Sequence, residues 1–319
     1  MLNQYSKRIE SYLNAFKFPQ APENLYGPLD YFLGLGGKRL RPVLTLLSAE
    51  LGGKNADEAL HAAAAIELFH NFSLIHDDIM DNAPIRRGLP TVHEKWNSNI
   101  AILSGDVLLV KAYELLSNQN NEHIPALYKL FNKTAIEVCE GQQMDMDFED
   151  RNNVSISEYL EMIRLKTSVL LGCALEFGFI ISNQTENNRK HIYDFGVNLG
   201  IAFQIQDDIL DLFGDPEKVG KQVGGDVKSN KKTLLYLVAE DICKDLNNNE
   251  LNKLKSIKDL DKKVLETQIF YRDLGVLDKT KTYLDSYFEK AMKSLANVQS
   301  DSTKENLLEM VNLLFNRQS

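Results

Sequence analysis

Two short stretches of this chain concentrate carboxylates in the same way. Leu74-Ile75-His76-Asp77-Asp78-Ile79-Met80-Asp81 and Gln204-Ile205-Gln206-Asp207-Asp208-Ile209-Leu210-Asp211 share the pattern x-Ile-x-Asp-Asp-Ile-x-Asp. On a helix, residues four apart share a face, so Asp77 points with Asp81 and Asp207 with Asp211. Aspartate is a poor helix former and like charges at this range repel, while the residues before the first set, AAAAIELFHNFSLIH, offer little compensating charge. A divalent cation accounts for both sets. Because the donors are carboxylate oxygens without cysteine, the hard ions Mg2+ or Mn2+ suit them better than zinc. Mg2+ usually takes one or two carboxylates and fills its remaining positions with water and phosphate, so two sets imply a phosphorylated substrate between them. A single acidic triplet is often only a helix cap or a solvated face, but two with matched apolar neighbours are not. Neither segment has the alternating oxygen ligands and central Gly of a calcium loop.

An anionic substrate calls for cations nearby. Gly36-Gly37-Lys38-Arg39-Leu40-Arg41-Pro42 joins a glycine pair, which permits close backbone approach, to three cations at a helix start. Arg86 and Arg87 follow the first aspartate set, where guanidinium forks can hold phosphate oxygens. Lys221 and Lys231 flank a glycine-containing loop after the second set. His70 lies seven residues before Asp77, close to the same helical line, and Gln204 lies three before Asp207. Lys166 and Thr167 interrupt the apolar run from Leu160 to Leu171 and can reach the same cavity.

The elements that must position these groups are helices. Apolar residues recur at intervals of three and four, as in Ile9, Leu13, Phe16 and Leu307, Val311, Leu314. Helices are predicted over 3–17, 24–34, 39–52, 56–81, 93–117, 123–149, 155–183, 186–213, 231–244, 248–271, 276–297 and 301–316. Pro19, Pro22, Pro84, Pro90 and Pro216 fall between these segments, and Pro42 and Pro125 near a start, where the missing N–H costs nothing. The polar stretches 117–122 and 214–230 read as loops. No Gly/Ser-rich or Pro-rich linker divides the 319 residues, which therefore read as a single domain, 1–319.

Composition sets the class. With 44% hydrophobic and 25% charged residues the chain should fold, and 18 Gly and 8 Pro leave little for the many turns of an all-β fold. Against 36 basic residues stand 45 acidic ones, a net charge of −9 that argues against nucleic-acid binding. The two aspartate triplets supply six of those 45. No run of eighteen apolar residues predicts a membrane span, and the amphipathic start MLNQYSKRIESYLNAFKFPQ lacks a signal-peptide core. Cys139, Cys173 and Cys243 are odd in number and widely spaced, which reads as buried thiols in a reducing, cytoplasmic setting.

Taken together, GGKRLRP at 36–42, DDIMDNAPIRRG at 77–88, GQQMDMD at 141–147, LKTS at 165–168, QIQDDILD at 204–211 and GKQVGGD at 220–226 closely resemble the trans-polyprenyl diphosphate synthases, the polyprenyl synthetase family. The resemblance covers about residues 36–233 by motif. It implies an all-α, isoprenoid synthase-type bundle around a deep central cavity, working as a homodimer that condenses isopentenyl diphosphate with an allylic diphosphate (dimethylallyl, geranyl or farnesyl). By this resemblance Asp77, Asp81 and Asp207 hold about three Mg2+ ions on the allylic diphosphate, and Asp78, Asp208 and Asp211 complete the catalytic sets. Arg86, Lys166, Lys221 and Lys231 bind the allylic diphosphate, while Lys38, Arg41, His70 and Arg87 take the diphosphate of the isopentenyl substrate. The Thr167 hydroxyl and the Gln204 carbonyl are dipoles near the allylic cation, and the released diphosphate removes the proton. One departure from the pattern is Ser229-Asn230-Lys231-Lys232-Thr233, where many family members carry Gly-Lys. Asn tolerates a left-handed backbone, so the loop can keep its shape, but the choice between Lys231 and Lys232 as the contact stays open.

Within the family, product length follows side chains on the helix below the first aspartates. Phe72, five residues before Asp77 and about 7.5 Å deeper along the axis, is aromatic, Ser73 is small, and DDIMD carries no insertion. That resembles short-chain synthases, with geranylgeranyl diphosphate expected first and farnesyl diphosphate second. Two other classes compete. A terpene cyclase also ionises an allylic diphosphate with Mg2+ but needs no second diphosphate pocket, which GGKRLRP and Arg87 supply here. A non-catalytic subunit of a heteromeric synthase usually loses one aspartate set, and both are intact.

Overall fold

A computed structural model describes residues 2–215, 223–300, 302 and 304–315. The chain falls into two compact units, one of 1–133, 173–190 and 299–307, the other of 134–172, 191–298 and 308–319. Both are helical, as the 3.6-residue periodicity predicts, and among the described residues no helix is long and apolar enough to cross a membrane.

In the first unit, α1 (Leu2–Ala15), α2 (Glu23–Gly34) and α3 (Leu40–Leu51) precede a 3-10 turn at Ala56–Ala59 and the long α4 (Leu60–Met80). Ala62 to Ala65 are fully buried on α4. Such small side chains let α3 and α6 (Ser98–Ser117) lie close against it. Gly178, on α9 (Val169–Ile181), approaches α3 so tightly that a Cβ there would sit 2.4 Å from the Ala49 nitrogen, and Ser48 Oγ donates to the Leu175 carbonyl across the crossing.

Between α4 and α6 the chain departs from the helical expectation. The segment 93–117 is two helices, α5 (Val92–Lys95) and α6, separated at Trp96 and Asn97, where the Asn97 side chain accepts the Ile100 N–H and caps α6. Ahead of α5 stands an antiparallel hairpin, β1 (Ile85–Arg86) paired with β2 (Leu89–Pro90). Its two turn residues, Arg87 and Gly88, both have positive φ (54° and 79°), the requirement of the tightest hairpin turn.

The second unit builds its core from the C-terminal part of α7 (Ile124–Asp150), α8 (Ile156–Ile163), α10 (Glu186–Phe213) and later helices, with Phe148, Tyr159, Ile205, Leu212, Leu237 and Val276 among its buried residues. The expected helix 155–183 is interrupted by a π turn over Arg164–Ser168. Within the expected loop 214–230 lies α11 (Gly225–Lys228), and α12 (Leu234–Asp245) follows. The expected helix 248–271 breaks into α13 (Glu250–Lys255) and α14 (Leu260–Asp273), because Asp259 caps α14 by accepting the Asp261 and Lys262 N–H groups. Last come α15 (Val276–Asn297) and α16 (Glu305–Phe315).

Candidate active site

At the end of α4, Asp77 is half-buried, Asp81 is exposed and Asp78 is 1% exposed. The hairpin folds Arg86 back onto Asp78. Arg86 Nε donates to both carboxylate oxygens at 2.9 and 2.8 Å, and its Nη2 lies 2.7 Å from Asp78 Oδ1 and 3.5 Å from Asp77 Oδ2. Burial pushes the Asp78 carboxyl above its ordinary value, and the Arg86 contact opposes that rise. Asp78 is thus an arginine holder, while Asp77 and Asp81 are the more exposed carboxylates of the set.

The GGKRLRP cations separate by role. Arg39, at a positive φ of 47°, is buried and tied to Glu67 at 2.5 Å and to the Leu33 carbonyl at 2.9 Å, so it locks α3 to α4. Arg41 Nη1 lies 3.0 Å from His70 Nε2. Among the described residues Arg41 Nε is buried without a hydrogen-bond partner, a donor that an anion would satisfy. Burial, then the charges of Arg41, Arg87, Arg86 and Arg39, hold His70 well below its usual value, so its ring is neutral at pH 7 and accepts from Arg41. The Arg87 guanidinium lies over Gly37, where a Cβ would come within 2.9 Å of Arg87 Nη2. Arg41, His70, Arg87 and Gly37 thereby belong to one cationic corner, and Lys38 is exposed on the same loop.

Below the first aspartates, the half-buried Phe72 ring packs edge-on to His76 at 4.6 Å between centroids and against Phe69 at 5.7 Å. His76 in turn wedges into α6, where a Cβ on Gly105 would strike its ring at 2.4 Å. Ser73 Oγ donates to the His70 carbonyl.

The second aspartate set divides in the same way. Asp208 is 4% exposed, accepts the Tyr159 hydroxyl at 2.5 Å and the Leu234 N–H at 3.4 Å, and lies 3.3 Å from Gln204 Nε2. Burial pushes it up to about 7. Asp211 holds the following loop: its Oδ2 accepts the Asp226 N–H at 3.0 Å and its carbonyl the Gly224 N–H at 2.6 Å. Asp207 is half-buried. Gln204 therefore orients Asp208 through its amide nitrogen, a contact that the sequence expectation of a carbonyl dipole did not include.

Lys166 and Lys231 converge on Asp145, at 2.7 and 3.9 Å. Lys166 and the half-buried Thr167 sit in the π turn, which two glycines clasp. A Cβ on Gly141 of α7 would lie 2.2 Å from the Lys166 nitrogen, and one on Gly200 of α10 would lie 2.8 Å from Ser168 Cα. Lys232 Nζ is committed to the Phe148 and Glu149 carbonyls at 2.6 and 3.0 Å, which leaves Lys231 as the loop lysine beside Asp145. Burial opposes charge on Lys231, but Asp145 and Asp226 outweigh it and raise its ammonium above the ordinary value. Lys221 lies outside the described residues.

Asp145, Tyr159 and Glu67 were not among the residues singled out from sequence. Asp145 stands inside GQQMDMD, but its partners follow 21 and 86 residues later, so only the fold shows what it balances.

The chain matches the family model for polyprenyl synthetase over residues 22–270. It is 38% identical over 319 residues to a geranylgeranyl pyrophosphate synthase of Geoglobus acetivorans, covering 99% of this chain and 98% of that one. To a geranylfarnesyl diphosphate synthase of Aeropyrum pernix it is 37% identical, covering 92% and 93%. A crystal structure of a geranylgeranyl pyrophosphate synthase superposes with a TM-score of 0.94 at 45% identity, covering 100% of this chain and 99% of that one. The chain belongs to the polyprenyl synthetase family and is a trans-prenyltransferase of the short-chain kind.

Proposed function

We propose that this enzyme condenses isopentenyl diphosphate with an allylic diphosphate and releases geranylgeranyl diphosphate, with farnesyl diphosphate as the alternative product. Relatives of nearly equal identity carry different product names, so product length rests on one observation: the Phe72 ring, packed on His76 and Phe69 below Asp77. About 7.5 Å of helix separates it from the aspartates.

In this reading Asp77, Asp81, Arg86, Asp207, Lys166, Lys221 and Lys231 serve the allylic diphosphate, and Lys38, Arg41, His70 and Arg87 serve the isopentenyl diphosphate. The outer carboxylates fit Mg2+, about three ions, because they are all-oxygen donors and because Asp78 and Asp208 are occupied by Arg86 and Tyr159. When bound, Mg2+ supplies charge that stabilises the leaving diphosphate. Arg86, Lys166 and Lys231 add fixed positive charge where negative charge develops as the allylic carbon–oxygen bond breaks. The terminal carbon of the isopentenyl double bond then forms the new carbon–carbon bond, and the proton lost next to it passes to the released diphosphate. Thr167 faces the cation with its hydroxyl dipole.

We further propose a homodimer. On α6, Ile102, Leu103 and Val110 are 42%, 58% and 64% exposed, an apolar stripe of the kind that association covers.

Incubation with isopentenyl diphosphate, Mg2+ and each of dimethylallyl, geranyl and farnesyl diphosphate tests the reading, with product length read by mass spectrometry. Twenty-carbon diphosphate is expected from all three primers. Hydrocarbon release without isopentenyl diphosphate would identify a cyclase, and absence of turnover a non-catalytic subunit.

A further inference from the structure

The loop that presents Lys231 ends α11 in a left-handed turn. Asn230 has a φ of 56°, its N–H reaches the Val227 carbonyl at 3.2 Å, and the Lys231 N–H reaches the Asp226 carbonyl at 2.9 Å. These are the two bonds of a Schellman motif with Asn230 in the place glycine usually takes. Asn tolerates that conformation better than other non-glycine residues, but it still adopts it less readily than glycine, and a contact that fixes its side chain favours the turn. The direction in which Lys231 leaves the turn depends on that backbone.

What holds Asn230 is a buried lysine. Lys263, on α14, is 3% exposed, and its Nζ donates to Asn230 Oδ1 at 2.7 Å. Among the described residues that amide oxygen is its hydrogen-bond partner, and no carboxylate lies within ion-pair distance. Burial lowers the Lys263 ammonium from its ordinary value. A buried charge with one neutral partner is costly to keep, and an apolar side chain of similar length would be cheaper. The neighbouring residues of α14 grip the same segment. Asp261 takes Lys228 at 2.9 Å, and Val264 fills the space that a Cβ on Gly224 would need.

We propose that Lys263 is a positioning residue for prenyl transfer: its ammonium fixes Asn230 in the left-handed turn and so aims Lys231 at the allylic diphosphate. This rests on the reading of Lys231 as a ligand of that diphosphate. Glycine at 230 would hold the turn without help, so the effect of Lys263 should vanish in that background.

The test is a cycle of Lys263→Met, Asn230→Gly and the double variant, with Asn230→Ala and Lys231→Ala alongside. KM for each substrate, kcat and thermal midpoint are measured. Lys263→Met should raise the allylic KM about tenfold, the weight of one charge-assisted hydrogen bond, with the isopentenyl KM unchanged. In the Asn230→Gly background the same substitution should leave the allylic KM within about twofold, within the usual spread for independent sites. Asn230→Ala, at an exposed position, should reproduce the Lys263→Met defect even if the latter fails to fold. An allylic KM unmoved by both Lys263→Met and Asn230→Ala, or moved equally in the glycine background, would overturn the proposal. If Lys231→Ala leaves the allylic KM unchanged, the ligand reading of Lys231 falls and this proposal with it. If Lys231→Ala raises it while the other variants do not, only the role of Lys263 falls.

Discussion

Arg86 meets Asp78 with Nε 2.9 and 2.8 Å from its two carboxylate oxygens and Nη2 2.7 Å from one of them. The middle aspartate of the first set therefore holds an arginine in place, and its loss should differ in kind from loss of its neighbours. Asp78→Asn should lower kcat/KM for the allylic substrate by about 2–3 kcal/mol of transition-state stabilisation, with the Mg2+ half-saturation point little changed. Asp77→Asn should instead raise the Mg2+ requirement at least about tenfold, the cost of a lost charged donor. Steady-state kinetics across a Mg2+ titration separates the two, and equal Mg2+ dependence in both variants would refute the division of roles.

His70 makes a pH prediction. Its folded value is depressed well below 6.5 by burial and by Arg41, Arg87, Arg86 and Arg39, whereas in the unfolded chain it protonates near 6.5. The unfolded state thus binds the proton first on acidification. The stability contribution is complete above about pH 6.5 and is lost as pH falls from there toward the folded value. Thermal midpoints followed from pH 7.5 to 5 should fall more steeply for the wild type than for His70→Asn. A ring proton of His70 that titrates near 6.5 by NMR would contradict the assignment.

Phe72→Ala removes the ring that packs on His76 and Phe69, on the helix turn below the aspartates. The expected outcome is a shift of the main product from twenty to twenty-five or more carbons on mass analysis of a geranyl-primed reaction. An unchanged product would make Phe72 ordinary packing and move the floor elsewhere.

How much of this was legible beforehand depended on how locally each feature is written. Both aspartate sets were legible because residues four apart share a helical face and each set fits in five residues. The GGKRLRP cations were legible as a cluster, but not the fact that Arg39 serves Glu67 while Arg41 serves His70, since those partners lie 28 and 29 residues away on α4. The hairpin at Ile85–Pro90 escaped because two-residue strands carry no periodicity and Arg-Gly is a weak turn signal. Asp145 escaped for a similar reason: one carboxylate in an amphipathic helix looks solvated until Lys166 and Lys231 are seen beside it. The π turn around Lys166 leaves no mark in the apolar spacing at all.

Gly141 gives that π turn its sharpest test. A methyl group there would sit 2.2 Å from the Lys166 nitrogen and 2.7 Å from its Cα, and both are backbone atoms that cannot swing aside. Gly200 of α10 is a second tight contact on the same turn, since a Cβ there would lie 2.8 Å from Ser168 Cα. With the turn tight against a second glycine as well, Gly141→Ala should displace Lys166. Overpacking of this kind costs about 1–3 kcal/mol, and the thermal midpoint should drop by several degrees. The shift should also pull Lys166 off Asp145, so the allylic KM should rise and kcat fall while the isopentenyl KM stays near wild type. Gly34→Ala, whose added methyl meets nothing within 4 Å, is the control and should change neither. A Gly141→Ala enzyme with wild-type midpoint and kinetics would show that Lys166 does not depend on the clasp.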